Sequence, residues 1–526
     1  MTRILLFLIC LVCAGTATAH QTMPHSEGDK GELTLQRTAS TAQREEAPVR
    51  IQFWDEHGNL TPAMLSLANA NDWREVPLAQ QFLPNELHRG RASSRRQWRG
   101  KFPIHSSGET VLSLPDGQYT LTAGKGLEYR REKVSFEVVA GKGVSLSVKL
   151  RRWIDLPSQG WWSGDPHVHV TRDSAKQDMA ILTAAMAEDI HLTSTLQMGD
   201  ANALFFSSRQ TGRAANLHNG NYWLASGQED PRTPELGHAI MLNTNRLYRD
   251  TDNYYLYGDL FAQARAEGAV TGLAHYFQAK FHTYRAGALL FPDGLVDFVE
   301  LLDNSDIFRP ELYYDALNLG FRIPVSAGSD YPWGDHIGDQ RTYVKLRPQQ
   351  TLDPQAWYEG LKAGRTFVTQ GPLIQFSIND RDIGSILQVE DGEALKIRAA
   401  AQAPPYIGSP QRLWLVSMGK VVAQVSRNER DDKALTLLYS DIVKGSRWYV
   451  VVAQAHNGAL AHSSPIYVIA DGQPARLRGD GLQALVDKQR KILQTEGREA
   501  IPPEQRTDAY LSWLKRIESY YDSITP

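Results

Sequence analysis

The strongest constraint on the fold is the alternation of strand-like and helix-like segments between residues 161 and 330. The predicted strands lie at 192–198, 269–274 and 323–328, and the predicted helices lie at 174–188, 259–267 and 311–319. Helices that separate successive strands usually carry the chain across a sheet, so that the strands pair in parallel. This stretch therefore predicts an α/β domain with a parallel sheet, either open or closed into a barrel.

Residues with metal-binding or acid–base side chains recur at the ends of these strands. They are His167, His169, Asp200, His275, Glu300 and Asp330. The carboxyl ends of parallel strands gather at one mouth of a barrel, where such barrels place their chemistry. His167 and His169 are two residues apart, so both rings leave the same face of an extended segment. The pattern predicts a divalent-metal site, because imidazoles and carboxylates suit Zn, Mn or Fe.

The positions of the two cysteines exclude thiolate ligands in the mature chain, and the segment that contains them indicates export. The only cysteines, Cys10 and Cys13, lie in an N-terminal stretch with a positive residue, an apolar run and small residues before His20. This is the pattern of a secretory signal peptide, cleaved near Ala19. The mature chain would have no cysteine. We therefore expect a secreted or periplasmic bacterial protein whose mature form has no membrane segment.

The length of 526 residues leaves room for several domains besides the α/β domain, which we place at 153–371. Short alternating segments with turn residues between them predict a β-sandwich over 47–152 and another β domain over 372–475. A polar leader at 20–46 is expected to be disordered, and a tail at 476–526 has a helical pattern. The formal net charge of -3 gives no reason to expect nucleic acid as a partner.

Short motifs across 161–373 resemble, in order, those of the PHP (polymerase and histidinol phosphatase) superfamily. They are Gly-Asp-Pro-His-Val-His at 164–169, Ser-Gly-Gln-Glu at 226–229, Gly-His at 237–238, Ala-His at 274–275 and Ala-Gly-Ser-Asp at 327–330. The segments 341–344 and 364–372 are similar to the end of its CehA/McbA branch, named for a carbaryl hydrolase. The resemblance implies a distorted (β/α)7 barrel flanked by N-terminal and C-terminal β-sandwich domains.

The same resemblance implies an activity and roles for individual residues. His167, His169, Glu229, His275 and Asp330 match metal-ligand positions, and Asp200, Glu300 and His336 are further candidate ligands. Two or three divalent ions would bind, with two as the expected number, and a hydroxide would attack an ester, carbamate or phosphoester bond of a small-molecule substrate. Asp330 is expected to accept the proton of that hydroxide. His238 is expected to bind substrate or to stabilise the leaving group.

Departures from the family pattern keep a second function open. Ala201 follows Asp200 where the family commonly has His, and Pro332 stands two residues after Asp330 where it also commonly has His. A relative without activity could serve as an extracellular binding protein whose β domains recognise glycan or protein. Asp173 and Asp178 are alternatives for an acidic ligand after the first motif, and candidate residues for an anionic substrate are Arg209, Arg213, Lys280 and Arg285.

Overall fold

The computed structural model describes residues 46–69, 104–276, 278–302, 308–428 and 433–524. The predicted signal peptide and nearly all of the predicted disordered leader lie outside these residues. Within the described ranges, no helix is both long enough and apolar enough to cross a membrane.

The N-terminal region consists of two sheets that share one core. Its strands are β1 (Glu46–Trp54), β2 (Ala63–Asn69), β3 (Ile104–Ser106), β4 (Glu109–Pro115), β5 (Gly117–Gly124), β6 (Glu132–Val138) and β7 (Val144–Lys149). One sheet has the order β4-β1-β7 and the other β3-β2-β5-β6. Alternate residues of β1, such as Val49 and Ile51, are buried against Leu65 and Leu121 of the second sheet. Two facing sheets with alternating burial are the arrangement expected of a β-sandwich.

A curled sheet with helices around it follows. Its strands are β8 (Trp161–Val168), β9 (Leu192–Gly199), β10 (Leu204–Phe205), β11 (Leu217–Asn219), β12 (Tyr222–Thr233), β13 (Gly237–Leu242), β14 (Val270–Leu273), β15 (Phe298–Glu300), β16 (Val325–Ser326), β17 (Arg341–Lys345) and β18 (Thr366–Thr369). The helices are α1 (Ala175–Ala187), α2 (Tyr257–Ala266), α3 (Thr283–Leu290), α4 (Glu311–Asn318) and α5 (Pro354–Lys362). Around the curl the strand order is β16-β15-β14-β13-β12-β9-β8-β17-β18.

This sheet is mixed, so the prediction of an all-parallel sheet is wrong. Strands β8, β9 and β12 pair in parallel, as do β14, β15 and β16. Strand β13 is antiparallel to both β12 and β14, and β17 is antiparallel to β8. Only residues 234–236 join β12 to β13, whereas a parallel crossover needs a dozen residues or more. The (β/α)7 barrel that the family resemblance implies stays a prediction.

The C-terminal region is β-rich and ends in helices. Its strands are β19 (Leu373–Ile378), β20 (Arg381–Asp382), β21 (Ile386–Val389), β22 (Ala394–Gln402), β23 (Pro410–Ser417), β24 (Lys420–Ser426), β25 (Leu435–Ile442), β26 (Arg447–Ala455), β27 (Leu460–Ser463) and β28 (Ile466–Ala470). The tail contains α6 (Asp480–Lys491), a π-helical segment (Ile492–Glu499) and α7 (Asp508–Ser523). Trp513 in α7 donates a hydrogen bond to Asp293, 2.8 Å away, which attaches the tail to the segment after α3.

Candidate metal centre

Five of the residues predicted to bind metal come together at one edge of the curled sheet. They are His167 in β8, His169 just after it, Glu229 in β12, His275 after β14 and Asp330 after β16. All are buried except Asp330, whose side chain is 23% exposed. Ligand atoms of His167, Glu229 and His275 lie within 4.8 Å of one another, as do those of His167, His169 and Asp330. The strands thus collect a cluster of three imidazoles and two carboxylates.

His167 and His169 face each other through their Nε2 atoms, which are 3.0 Å apart. The Nδ1 atom of His167 lies 3.0 Å from Glu300 Oε2, and the Nδ1 atom of His169 lies 3.0 Å from the carbonyl oxygen of Leu196. These acceptors hold a proton on each Nδ1, which leaves a lone pair on each Nε2. When both rings are neutral, the two lone pairs repel each other at this separation, so the pair of rings favours a shared cation, either a proton or a metal ion in its place.

The spacing of the surrounding oxygens fits one ion of the zinc type. Asp330 Oδ1 lies 3.4 Å from both Nε2 atoms. Glu229 places Oε1 3.6 Å from His167 Nε2 and Oε2 3.5 Å from His169 Nε2. Donor atoms that surround a tetrahedral ion at about 2.0–2.1 Å are separated by roughly 3.3 Å. His167, His169 and Asp330 therefore offer three mutually close ligands, and Glu229 borders the two rings.

The geometry also provides ligands for a second ion beside the first. His275 Nε2 lies 3.6 Å from Asp330 Oδ2 and 3.9 Å from Glu229 Oε1. Asp330 therefore turns one oxygen towards the histidine pair and the other towards His275. Carboxylates in this position can bridge two metal ions, as two-metal hydrolytic sites require.

The charges of the buried cluster shift the pKa values of its members in opposite directions. Burial disfavours a charged His167 ring, but Glu300 and Asp330 overcome this effect and raise its pKa to about 10. Burial lowers the pKa of His275 to about 4, against the attraction of Asp330. Burial disfavours ionised Asp330 too, yet the neighbouring histidine rings lower its pKa to about 2. The carboxylates are thus held ionised, in the form that binds metal.

Glu300 lies beside the cluster rather than within it. Both of its carboxylate oxygens approach His167 Nδ1, on the side of the ring that faces away from His169. Glu300 Oε2 also accepts a hydrogen bond from the backbone N–H of His275, at 3.3 Å. The expectation that Glu300 is a ligand is therefore not met. Its contacts instead orient His167 and hold the backbone of His275.

Asp200 and His336 were also expected to bind metal, and the structure places both elsewhere. Asp200 Oδ1 accepts hydrogen bonds from the backbone N–H groups of Asn202 and Ala203, because an Asp at a strand end readily captures the donors of the following turn. His336 is buried, with Nδ1 2.9 Å from Glu188 Oε1. A buried carboxylate thus binds this ring in place of a metal.

The two alternatives for an acidic ligand after the first motif also lie outside the cluster. Asp178 forms ion pairs with Arg172 and Arg209, and Asp173 is exposed. The basic residues proposed to hold an anion are engaged in other ways. Arg213 donates to the carbonyl oxygen of Asn243, Arg285 pairs with Glu496, and Lys280 lies over the ring of Phe281.

Asp165 holds the backbone around the site and does not orient a histidine ring. Its Oδ1 accepts the N–H groups of His167 and Ser329, and its Oδ2 accepts the N–H of Gly338, at 2.7 Å. These bonds tie β8 to the segment that carries Asp330. The segment approaches β8 so closely that a Cβ atom at Gly328 would lie 2.4 Å from His167 Cβ, so this position requires glycine.

Sequence reasoning missed the side chains that surround the cluster. Phe206 and Trp333 place their ring centroids 5.3 and 5.4 Å from that of His169, and Phe281 lies 4.8 Å from His275. They come from separate loops, and only the fold brings them together.

His238, which we expected to contact substrate, lies beside Glu229. Its Nδ1 atom is 2.8 Å from Glu229 Oε1, and its Nε2 atom accepts a bond from Arg232 Nε at 3.3 Å. Burial is the main cause of a lowered pKa of His238. A neutral ring that donates from Nδ1 fits these contacts and orients the Glu229 carboxylate.

Fold and site together define a β-rich protein with a buried histidine–carboxylate cluster suited to divalent metal. No family model matches the chain, and no curated protein matches it. PsfC from Pseudomonas syringae PB-5123 is 15% identical over 38% of this chain and 88% of its own, with a TM-score of 0.26. Fibronectin(III)-like modules of Clostridium thermocellum CbhA are 18% identical over 20% of this chain and 100% of their own, with a TM-score of 0.14. Similarities this weak establish no family.

Proposed function

We propose that this protein is an exported, divalent-metal-dependent hydrolase of the PHP type that cleaves an ester, carbamate or phosphoester bond of a small molecule. The observation that carries the proposal is the pair of Nε2 atoms of His167 and His169, which face each other at 3.0 Å with both Nδ1 atoms already hydrogen-bonded. The high pKa of His167 places a proton between the two rings when no metal is bound. A metal ion in place of that proton would have both imidazoles and the neighbouring carboxylates as ligands.

Each group in the cluster has a task that follows from its environment. A bound divalent ion would polarise the bond to be cleaved and lower the pKa of a water molecule. Asp330 is the most exposed of the five residues, so its carboxylate can accept the proton of that water from the open side of the site. Phe206, Trp333 and Phe281 border the cluster and reduce its contact with water, which strengthens the electrostatic interactions inside.

Metal content tests the proposal without any knowledge of the substrate. Protein purified without added metal should contain at least about one equivalent of a transition metal, or should take it up when Zn, Mn or Fe is supplied. The double variant His167→Ala/His169→Ala should lose this metal. His456→Ala, which removes an exposed histidine of the C-terminal region, should retain it. Wild-type protein that takes up none of these metals would refute the proposal.

An inactive binding protein is the second candidate. The observation in its favour is that Asp200 caps a turn and that Ala201 and Pro332 occupy positions where the family commonly has histidine ligands. A screen of aryl esters, carbamates and phosphodiesters with metal-loaded protein separates the two candidates. Turnover that disappears in the His167→Ala/His169→Ala variant supports the hydrolase. A metal-loaded protein that turns over no substrate and binds a glycan or protein would support the alternative.

Export is part of the same proposal. The N-terminal signal pattern supports secretion to the periplasm or beyond, with cleavage near Ala19. Mass spectrometry of the exported protein should find His20 as the first residue. A chain that keeps Cys13 with an acyl group attached would show a lipoprotein instead.

A further inference from the structure

Arg232 reaches the metal cluster because of an irregularity in β12. Strand β12 pairs with β13 through Glu229 opposite Ile240 and Arg232 opposite His238, so β12 has one extra residue between these pairs. Side chains three residues apart on a regular strand leave opposite faces. The extra residue turns Arg232 to the face of Glu229, where its Nε lies 3.4 Å from Glu229 Oε2.

The guanidinium of Arg232 is largely buried, and only part of it is hydrogen-bonded. Its side chain is 9% exposed, and its Nε atom is held by Glu229 and His238. Among the described residues, no hydrogen-bond partner is found for either of its terminal Nη atoms. In buried Arg172, by comparison, all three nitrogens have partners, namely Asp178, Thr195 and the carbonyl of Ala215.

A largely buried guanidinium whose terminal donors still reach solvent, beside the candidate metal cluster, is suited to bind an anion. A planar fork of N–H donors matches the oxygens of a phosphoryl or carboxylate group. Two divalent ions together with Arg232 would outweigh the negative charges of Glu229, Asp330 and Glu300. The occupied site would therefore attract a negatively charged group more strongly than a neutral one.

We propose that Arg232 is a specificity-determining residue that binds an anionic oxygen group next to the bond to be cleaved, so that the site prefers anionic substrates over neutral esters and carbamates. The inference rests on the proposed function and narrows its substrate class. Because Nε is anchored to Glu229 and His238, the terminal nitrogens are held beside the metal ligands. An arginine that only balanced the charge of Glu229 would need no contact with His238.

Direct titration of anions tests the role of Arg232. Inorganic phosphate and acetate are titrated calorimetrically into metal-loaded wild type, Arg232→Gln, Arg232→Lys and Arg246→Gln. The last variant removes the same charge from an exposed pair with Glu267 and serves as the matched control. Loss of a charge-assisted pair of hydrogen bonds should weaken anion binding by on the order of 10- to 100-fold in Arg232→Gln. Arg246→Gln should bind like wild type, and the relative affinities for phosphate and acetate identify the preferred group.

Metal content and thermal melting are measured for every variant, so that a folding defect is not taken for a binding defect. If Arg232→Gln does not fold, the anion affinity of Arg232→Lys provides the test, because lysine keeps the positive charge but lacks the paired N–H donors of the guanidinium. Equal anion affinity in wild type and in the folded Arg232 variant would overturn the inference, as would a wild type that binds neither anion. If the wild type takes up no metal, the proposed function fails. The same titration on the metal-free protein then still supports or overturns the role of Arg232.

Discussion

Replacement of His336 by Gln separates a structural histidine from a metal ligand. The pattern of the sequence made His336 a candidate ligand, whereas the structure buries it against Glu188, with Nδ1 2.9 Å from Oε1. The same carboxylate lies 3.2 Å from His105 Nε2 and 3.9 Å from Arg341 Nη2. His105 belongs to β3 and His336 to the segment before β17, so Glu188 connects the N-terminal sheets to the curled sheet.

The expected loss of stability follows from the partners that Glu188 keeps after the substitution. Removal of one partner from a buried ion pair typically costs about 3–5 kcal/mol. Since His105 and Arg341 remain next to Glu188, we expect the free energy of unfolding to fall by about 3 kcal/mol, at the lower end of that range. Metal content should be unchanged, because the ring makes its contacts with Glu188 and Asp339 and not with the cluster.

The pH dependence gives an independent check on the same pair. The histidines beside Glu188 overcome the effect of burial and hold its pKa well below the ordinary value. Ionised Glu188 therefore stabilises the fold above about pH 4.5, and this stabilisation is lost as the pH falls. Glu188 likewise overcomes burial at His336 and raises the pKa of the ring to about 9. That contribution is complete below about pH 6.5 and is lost as the pH rises through 9. The difference in the free energy of unfolding between wild type and His336→Gln should be largest near pH 5–6.5 and smaller at pH 10.

Denaturant unfolding at several pH values and metal analysis of the folded proteins measure these quantities. His456→Ala controls for the loss of an imidazole at an exposed position. The reasoning would be refuted by a His336→Gln protein that unfolds like wild type but has lost metal. In that case His336 would be a ligand, as the pattern of the sequence suggested.

Further predictions concern the cluster itself. Asp330→Asn should lower hydrolysis by roughly a thousandfold or more, and the metal-stripped variant should melt below wild type, because the histidine rings that lower the pKa of Asp330 lose their carboxylate partner. Glu300→Gln should weaken metal affinity about 10- to 100-fold, as measured by competition with a chelator, because His167 loses the carboxylate that orients it. Chelation should lower the melting temperature of wild type and abolish its activity, and added metal should restore both, whereas the melting temperature of His167→Ala/His169→Ala should not respond.

The convergence of His167, His169, His275 and Asp330 could be predicted from strand ends, whereas Glu229 lies within β12 and was predicted only from the family resemblance. His167, Glu229, His275 and Asp330 lie in or directly after strands of one sheet, so their meeting requires only that these strands be neighbours. The β-rich character of the flanking regions was equally accessible, since alternating burial in strands such as β1 follows from alternating polarity in the sequence.

The features that escaped prediction depend on local geometry. A carboxylate near a strand end can face the site or accept hydrogen bonds from the following turn, and the sequence does not decide between them. Asp200 accepts hydrogen bonds from the turn. The direction of β13 was missed although Pro234 and Gly237 mark the short turn that forces an antiparallel pairing. Arg232 was missed because an extra residue in β12 reverses the face that regular alternation assigns to it.

The backbone of the cluster supports a functional role for its residues. His275 and Asp330 both have a φ of 50°, and Phe206, whose ring lies against His169, has a φ of 53°. A left-handed conformation costs a residue with a side chain about 1 kcal/mol or more, and glycine would avoid the cost. Fold stability alone would therefore favour glycine at these positions. The same conformation occurs at other described residues, such as Asn243 and Met418, so it adds to the case for the proposed metal site only together with the converging side chains.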